Sequence, residues 1–300
     1  MTGSTDVRLV RRIDAADVIR KWREQFGIDV TAELRGHAAI GLYECSQTGL
    51  RFFRPADVAG SDALYAELGK LDWYYEDDKW EYRAALADFA ARIPGGRVME
   101  VGCGRGTFVK RARAAGLDAF GIEISAKAVD AARAEGLPVE LLDLADAARR
   151  DAGRLDAVCA FQVLEHVPDV RGFLEHCVAA LRPGGVLAIG VPNGAGFMRH
   201  TGTVLEMPPH HMSQWTPGAF ESLGKLLPVR LVRTAVSPLR AEHAGVWAEG
   251  TWADLRARRP WARWLFNRAT RAAAARVMRW GVARRWARGH TLYALLEKVG

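Results

Sequence analysis

The pattern of apolar and polar positions divides the chain into two parts. Residues 7–36 contain a helical pattern, DAADVIRKWREQFG, and residues 38–54 predict two strands around a short turn. The apolar spacing in residues 62–93 favours helices, the last of which ends at Pro94 and the glycine pair that follows. We therefore predict an N-terminal cap, residues 1–93, built from helices and a β-hairpin.

Strand and helix patterns alternate from Arg97 onward. Alternation of this kind indicates parallel strands joined by right-handed helical crossovers, and therefore a doubly wound sheet. The strand patterns are RVMEVGC, AFGIEI, VELLDL, LDAVCAF and GVLAIGVP, with helices predicted at residues 106–115, 125–135 and 169–181. Beyond them we predict a helix at residues 217–226 and strands near residues 229–236 and 290–298.

The composition is that of an ordinary globular protein. The 300 residues are 49% hydrophobic and 26% charged, which suffices for one large domain or two modest ones. The four cysteines form no CxxC pair, so neither a zinc site nor a disulfide framework is predicted. Because the chain contains neither an apolar leader pattern nor 18 consecutive apolar residues, we expect a cytoplasmic protein.

The net charge of +7 is concentrated in one region. Residues 254–288 hold eleven arginines and a single acid, so this segment is strongly basic and the remainder of the chain is slightly acidic. Three interpretations stay open for the predicted helical insertion at residues 240–288: packing on the domain, peripheral membrane contact through residues 250–288, or polyanion binding. Nucleic acid is the least favoured partner, since no recognition module is visible. The region also contains six of the ten tryptophans, at positions 247, 252, 261, 264, 280 and 286.

The stretch VMEVGCGRGTFV predicts a buried strand, a glycine loop and a helix. Gly102, Gly104 and Gly106 allow a sharp turn and let a ligand lie against the backbone. The dinucleotide fingerprint G-x-G-x-x-G would place its third glycine at Thr107. Nicotinamide or flavin binding is therefore disfavoured.

Acidic residues end the next two predicted strands. Glu123 ends AFGIE, where a carboxylate can accept both hydroxyls of a ribose. Asp143 and Leu144 end VELLDL, where an acid and an apolar side chain can meet the amino edge and the face of an adenine. Together with the glycine loop, these strand ends predict an adenosine pocket that lacks a phosphate cradle.

These motifs, together with FQVLEHVPDVRGFLEHCVAALRPGGVLAIGVPN, resemble the class I S-adenosylmethionine-dependent methyltransferases. The branch that they resemble is that of quinone-biosynthesis and bacterial polysaccharide-cluster methyltransferases. The resemblance implies an α/β fold, with a doubly wound, Rossmann-like seven-stranded sheet in residues 94–300, and S-adenosyl-L-methionine as cofactor. The cofactor-binding residues that it implies are Glu100, Gly102, Gly104, Gly106, Glu123, Ile124, Asp143, Leu144, Phe161 and Gln162.

The resemblance also assigns roles within this set. The glycine loop would wrap the methionine end and the adenosine, and Phe161 and Gln162 would lie beneath the sulfonium. Tyr74, Tyr75 and Trp80 fall where such enzymes cover the cofactor with a helix, although aromatic packing is the simpler explanation. Related proteins often carry a cysteine pair in the hairpin, but CSQTGLRFF retains only its first cysteine, so no structural zinc is predicted there.

Three histidines are candidates for a catalytic base: His166 in LEHVPD, and His210 and His211 in PPHHMSQW. No further ligand has a suitable spacing, so we predict no metal site. Adjacent residues of an extended segment point in opposite directions, so at most one of the pair is expected to face the crevice. We prefer His211 as base, with His210 as reserve and His166 as either base or structural residue.

The predicted function is O-methylation of a carbohydrate or glycolipid hydroxyl, assisted by a histidine. A quinone-like or other small aromatic acceptor is the alternative within enzymes. A membrane- or RNA-associated binding protein that keeps the fold without turnover is the alternative from another class. The sequence gives no indication of the oligomeric state.

Overall fold

The computed structural model describes residues 6–71, 74 and 78–300. The hairpin predicted at residues 38–54 is present, but the sequence analysis missed a strand at residues 7–14. Most of its side chains are exposed, so it lacks the apolar alternation that marks a half-buried strand. The elements of this part are β1 (Val7–Asp14), α1 (Ala15–Phe26), β2 (Ala39–Cys45), β3 (Arg51–Arg54), α2 (Asp62–Leu68) and α3 (Trp80–Arg92).

The second part alternates strand and helix as predicted. Its first elements are β4 (Arg97–Val101), α4 (Thr107–Ala114), β5 (Asp118–Glu123), α5 (Ala126–Ala134), β6 (Val139–Leu141), α6 (Leu144–Arg150), β7 (Leu155–Phe161), α7 (Val170–Ala180) and β8 (Leu181–Pro192). The later ones are β9 (Ser213–Gln214), α8 (Pro217–Glu221), β10 (Val229–Pro238), α9 (Ala244–Arg258), α10 (Arg268–Met278), α11 (Gly281–Arg284) and β11 (Arg288–Lys298).

The large sheet has seven strands in the order β10-β11-β8-β7-β4-β5-β6. The strands β4 to β8 are parallel, whereas β11 runs antiparallel to both of its neighbours. The strand order reverses at β4, and in such sheets ligands bind beyond the carboxyl ends of the strands at that reversal. The predicted fold class, a doubly wound Rossmann-like sheet, is confirmed.

Two apolar layers bury the central strands of this sheet. Phe89 of α3 and Phe108 of α4 lie in one layer, and Met99 and Phe220 lie in the other. Because both faces are covered, β4, β7 and β8 are nearly continuous apolar runs rather than alternating ones. Helix α3 is joined to the sheet by Asp88, which accepts hydrogen bonds from Arg233 and from the Tyr293 hydroxyl (2.8 Å).

The small sheet has the order β1-β2-β3-β9, so its last strand comes from the loop after β8. Backbone hydrogen bonds extend this join: Phe53 N–H donates to Met212 O (2.9 Å), and Gly60 N–H donates to Pro209 O (2.7 Å). The buried side chain of Trp22 fills the core beneath this sheet. The segment that contains the histidine pair is therefore held by the N-terminal part of the chain.

Helices α9, α10 and α11 form the predicted insertion before the last strand. Helix α9 packs on the short helix Phe197–His200, and a Cβ on Gly250 would lie 2.1 Å from Phe197 O, so their backbones are in close contact. Helices α10 and α11 bury none of their residues. Among the described residues, no helix combines the length and the apolar character that crossing a bilayer requires.

Candidate active site

The glycine loop joins β4 to α4 at the carboxyl edge of the large sheet. Gly102 and Gly104 have φ values of 66° and 54°, in the left-handed region that favours glycine. A Cβ on Gly102 would lie 2.7 Å from Val163 Cγ2, whereas no described atom lies within 4 Å of the Cβ position of Gly104. The loop is therefore closed at Gly102 and open at Gly104, where a ligand can lie against the backbone.

Glu123, at the end of β5, is tied to this loop. Its carboxylate accepts hydrogen bonds from the backbone N–H groups of Gly104 (2.9 Å), Ile124 (2.8 Å) and Ser125 (2.9 Å). Because a carboxylate can accept about four hydrogen bonds, it has capacity for a further donor. Ile124 leaves 74% of its surface exposed beside this carboxylate. The edge thus combines a fixed acceptor with an uncovered apolar side chain.

Asp143 and Leu144 lie at the start of α6. Asp143 is the N-cap residue of this helix, and its Oδ1 accepts a hydrogen bond from Asp146 N–H (2.8 Å). Leu144 is half-buried and packs against the core. The cap gives Asp143 a structural role, and its contact with adenine stays a prediction.

Glu100 lies in β4, before the glycine loop, and only 3% of its surface is exposed. Its Oε2 has no hydrogen-bond partner among the described residues. Burial disfavours the charged form and raises the pKa of Glu100 to about 8. A buried oxygen without a partner is unfavourable unless a ligand brings a donor. Together with Glu123, this acceptor fits a ligand that carries an ammonium group and a diol, as S-adenosyl-L-methionine does.

Phe161 and Gln162 lie where β7 ends. The Phe161 ring is buried, with ring centroids of Phe108 at 4.8 Å and Tyr82 at 5.2 Å. Gln162 has a φ of 59°, and its Nε2 donates to Glu81 Oε1 (2.8 Å). A positive φ is uncommon for a residue with a Cβ, and such strain is concentrated at functional sites. The Gln162 side chain is therefore held by α3, whereas the Phe161 ring belongs to the core.

The sequence analysis did not identify Glu81 as a site residue. It lies in the first turn of α3, is 3% exposed, and accepts the hydrogen bond from Gln162 described above. The only available signal was a carboxylate between two aromatic residues, Trp80 and Tyr82. Buried acids usually have a specific partner, but the burial of Glu81 is visible only in the structure.

The aromatic residues predicted to cover the cofactor are distributed differently. The Tyr74 hydroxyl lies 2.9 Å from His210 Nε2. Trp80 packs edge-on against Tyr293, with ring centroids 6.5 Å apart. Tyr75 lies outside the described residues. The first two therefore have packing or hydrogen-bonding roles, in line with the simpler of the two predictions.

His166, His210 and His211 come together at the carboxyl edge of the sheet. The ring centroid of His166 lies 4.7 Å from that of His210 and 4.9 Å from that of His211. The rings of His210 and His211 stack, with centroids 4.3 Å apart. We call these three residues the histidine cluster. Sequence spacing did not reveal it, because His166 and His210 are 44 positions apart.

The expectation that the adjacent histidines point in opposite directions is wrong. It assumed an extended backbone, but the N–H groups of His210 and His211 both donate to Met207 O, at 3.2 Å each. The segment therefore turns, and the two rings lie side by side at an interplanar angle of 24°. Both histidines consequently belong to the same cluster.

Hydrogen bonds occupy both ring nitrogens of His210. Because a carbonyl can only accept, the contact of 3.0 Å between Nδ1 and Leu205 O requires Nδ1–H. In the neutral ring Nε2 then accepts from the Tyr74 hydroxyl. These two bonds fix the tautomer and the orientation of the ring.

Only one ring nitrogen of His166, Nδ1, is hydrogen-bonded to the described residues. Its Nδ1 lies 2.7 Å from His210 O, so Nδ1–H donates to that carbonyl and the lone pair is on Nε2. Glu165 Oε1 lies 3.8 Å from this Nε2. Glu165 is 1% exposed, and neither of its oxygens has a hydrogen-bond partner among the described residues.

Burial also determines the charge of the cluster. It lowers the pKa of His166 to about 3 and of His210 to about 4, and it lowers the pKa of His211 well below its usual range. In contrast, burial raises the pKa of Glu165 to about 8. At neutral pH the histidines are therefore uncharged, and no described side chain or carbonyl is hydrogen-bonded to the His211 ring.

The cluster brings one nitrogen of each histidine within 4.8 Å of the others, a separation that a metal ion could bridge. Metal binding through His210 would break one of its two hydrogen bonds. A metal site was not predicted because a third ligand was missing from the sequence pattern, and His166 supplies that ligand. Hydrogen bonds occupy both ring nitrogens of His210, which disfavours metal binding, and the absence of a metal stays a prediction.

A glycine loop, a carboxylate at the end of the next strand and a sheet of this order define the class I S-adenosylmethionine-dependent methyltransferases. A family model described as a methyltransferase domain matches residues 74–270. The chain belongs to this methyltransferase family. The predictions of an enzyme of this class and of S-adenosyl-L-methionine as its cofactor are confirmed.

Curated relatives match part of the chain. A ubiquinone biosynthesis O-methyltransferase from Bordetella avium is 35% identical over 111 residues, 33% of this chain and 44% of that protein. The same enzyme from Psychrobacter cryohalolentis is 31% identical over 139 residues, 41% of this chain and 52% of that protein. The chain thus spans about half the length of the curated relatives that it matches.

A solved structure supports the fold. One chain of the complex between the Haloferax volcanii Trm112 methyltransferase activator and its methyltransferase superposes with a TM-score of 0.53 at 19% identity. The superposition covers 80% of this chain and 96% of that one. At this identity the similarity concerns the fold alone.

We expect Glu123→Gln to weaken binding of S-adenosyl-L-methionine by about tenfold or more, since a hydrogen bond to a charged group contributes about 1.5–3 kcal/mol. Isothermal titration calorimetry measures this loss. Glu135→Gln is the matched control, because Glu135 pairs with Lys110 on the surface. Equal affinities of the wild type and Glu123→Gln would contradict the assignment.

Glu165→Gln should change how stability depends on pH. The pKa of Glu165 is raised in the folded state, so the wild type loses stability as the pH rises from about 4.5 through about 8. Glutamine does not titrate, and the variant should gain stability relative to the wild type over that window. Urea unfolding at about pH 5 and about pH 8.5 tests this, and a stability difference that is independent of pH would refute it.

Proposed function

We propose that the protein transfers a methyl group from S-adenosyl-L-methionine to a hydroxyl oxygen of a small-molecule acceptor. The observation that carries this proposal is the histidine cluster at the carboxyl edge of the sheet, in a chain of the methyltransferase family. A hydroxyl must lose its proton as it attacks, and an uncharged imidazole in reach of the acceptor can take that proton.

The cofactor side of the proposed site is the edge formed by the glycine loop and by the ends of β5, β6 and β7. Glu123 would bind the ribose hydroxyls through its remaining acceptor capacity, and Ile124 and Leu144 would contact the adenine, with Asp143 at its amino edge. Glu100, whose Oε2 lacks a partner, would accept from the ammonium group. When bound, the cofactor supplies a methyl group on a sulfonium that also serves as the leaving group.

On the acceptor side, the hydrogen bonds of the cluster separate the three candidates. Both nitrogens of His210 are engaged, which supports a positioning role for this residue. His166 keeps a free lone pair on Nε2, and the described residues leave the His211 ring without a hydrogen bond. We therefore keep His211 as the proposed base and place His166, rather than His210, second.

The proposed acceptor is a carbohydrate or a carbohydrate-linked lipid. A sugar hydroxyl is a weak acid and benefits most from a base, which is consistent with three uncharged histidines at this edge. A quinone-like or other small aromatic acceptor is the second candidate, supported by the names of the relatives from Bordetella avium and Psychrobacter cryohalolentis. Peripheral association with the cytoplasmic face of a membrane would suit either acceptor if it is lipid-linked.

His211→Ala is expected to lower kcat by about 100-fold, within the range typical of a lost general base, while binding of S-adenosyl-L-methionine stays near the wild-type value. Single-turnover transfer of labelled methyl measures the rate, and calorimetry measures binding. His37→Ala, on the surface of the N-terminal part, is the control. An unchanged rate in His211→Ala would move the assignment to His166 or remove the base altogether.

The acceptor class can be identified with labelled S-adenosyl-L-methionine and a fractionated cell extract. We expect label in the glycolipid or oligosaccharide fraction, in an ether linkage that resists mild base. Label in the quinone fraction would favour the second candidate. Label confined to RNA or protein, or no transfer to any fraction, would contradict O-methylation of a small molecule.

A further inference from the structure

The insertion, which we define as residues 244–288, exposes large apolar side chains to solvent. Indoles are usually largely buried, yet the four tryptophans at its surface are between 71% and 89% exposed. Burial of these indoles therefore contributes little to the stability of the fold. The four residues are Trp261, Trp264, Trp280 and Trp286.

The same surface is strongly cationic. Eleven arginines lie in residues 254–288, and the single acid there, Asp254, is already shared by Arg199, His200 and Arg258. The carboxylates of the insertion therefore leave most of this positive charge uncompensated. A surface with this charge repels a second copy of this chain and attracts a polyanionic surface.

A cleft of about 610 Å³ opens on this surface between α9 and α10. Three of its lining residues are arginines, Arg256, Arg263 and Arg268, and Phe266 adds an apolar wall. Guanidinium groups bind phosphate oxygens with paired, charge-assisted hydrogen bonds. The cleft thus offers phosphate-binding donors in the same stretch of chain as the exposed Trp261 and Trp264.

The insertion contacts the loop that leads to the histidine cluster. Gly250 lies against the backbone of Phe197, and Asp254 forms ion pairs with Arg199 and His200. The short helix Phe197–His200 precedes the residue 207–215 segment on the same loop. The insertion is therefore joined by direct contacts to the loop that carries the histidine pair.

We propose that the insertion docks the protein on the surface of an anionic phospholipid bilayer. The exposed indoles lie at the headgroup boundary, and the arginines, including those of the cleft, bind lipid phosphates. Docking would present the acceptor loop to a lipid-borne substrate. That last step rests on the proposed function, whereas docking itself does not.

Vesicle flotation of the full-length protein tests docking without any methyl transfer. We expect flotation with vesicles of phosphatidylcholine and phosphatidylglycerol, and binding at least about tenfold weaker to phosphatidylcholine alone, since each basic residue near the surface contributes roughly a fivefold factor. Raising the salt concentration should weaken the binding to anionic vesicles. Equal binding to both vesicle types, or no flotation with either, would overturn the proposal.

Two variants separate the contributions of charge and of tryptophan. Arg263→Gln/Arg268→Gln should weaken binding to anionic vesicles by about tenfold or more. The second variant replaces all four exposed tryptophans with serine. It should bind anionic vesicles more weakly than the arginine variant does, while its unfolding temperature stays near that of the wild type. The second variant carries Trp261→Ser, Trp264→Ser, Trp280→Ser and Trp286→Ser.

Arg11→Gln/Arg12→Gln is the matched control, because it removes the same charge from the exposed strand β1. It should float like the wild type, and an equal loss in this control would show that only net charge matters and overturn the assigned surface. Tighter binding to single-stranded RNA than to anionic vesicles at physiological salt would also overturn it. Unchanged binding of S-adenosyl-L-methionine in the arginine variant keeps these outcomes separate from those that test the proposed function.

Discussion

The backbone pairing of residues 207–215 is the constraint on which the acceptor side of the site depends. This segment is bonded on one side to the small sheet, through Phe53 and Gly60, and on the other to the loop after β7, where Met212 N–H donates to Glu165 O at 2.7 Å. These bonds bring His210 and His211 to His166. Without them the histidines would belong to an unattached loop, and their side-by-side rings would have no fixed partner.

The alternation of strand and helix after Arg97 was enough to predict the large sheet, because each buried strand is a compact apolar run and each crossover helix has its own spacing. The glycine loop and the acidic strand ends could be predicted for the same reason, since they are local in sequence. The histidine cluster is different, because it depends on a turn at Met207 and on a contact between residues 44 positions apart. Glu81 was also missed, since only its contact with Gln162 distinguishes it from an ordinary helix residue.

Burial suppresses the charge of ionisable side chains on both the cofactor side and the acceptor side of the site. Glu100 and Glu165 are protonated at neutral pH and the histidines are unprotonated, so burial removes charge from acids and bases alike. Glu123 differs from them in its surroundings, because its carboxylate accepts hydrogen bonds from three backbone N–H groups.

The strand β9 has a consequence for protein engineering. It is only two residues long, yet it places a piece of the second half of the chain inside the sheet of the first half. A chimera that exchanged only the first 93 residues between relatives would graft a sheet that lacks its own last strand. A workable exchange would transfer the residue 207–215 segment together with the N-terminal part, so the two stretches behave as one inherited unit despite their distance in sequence.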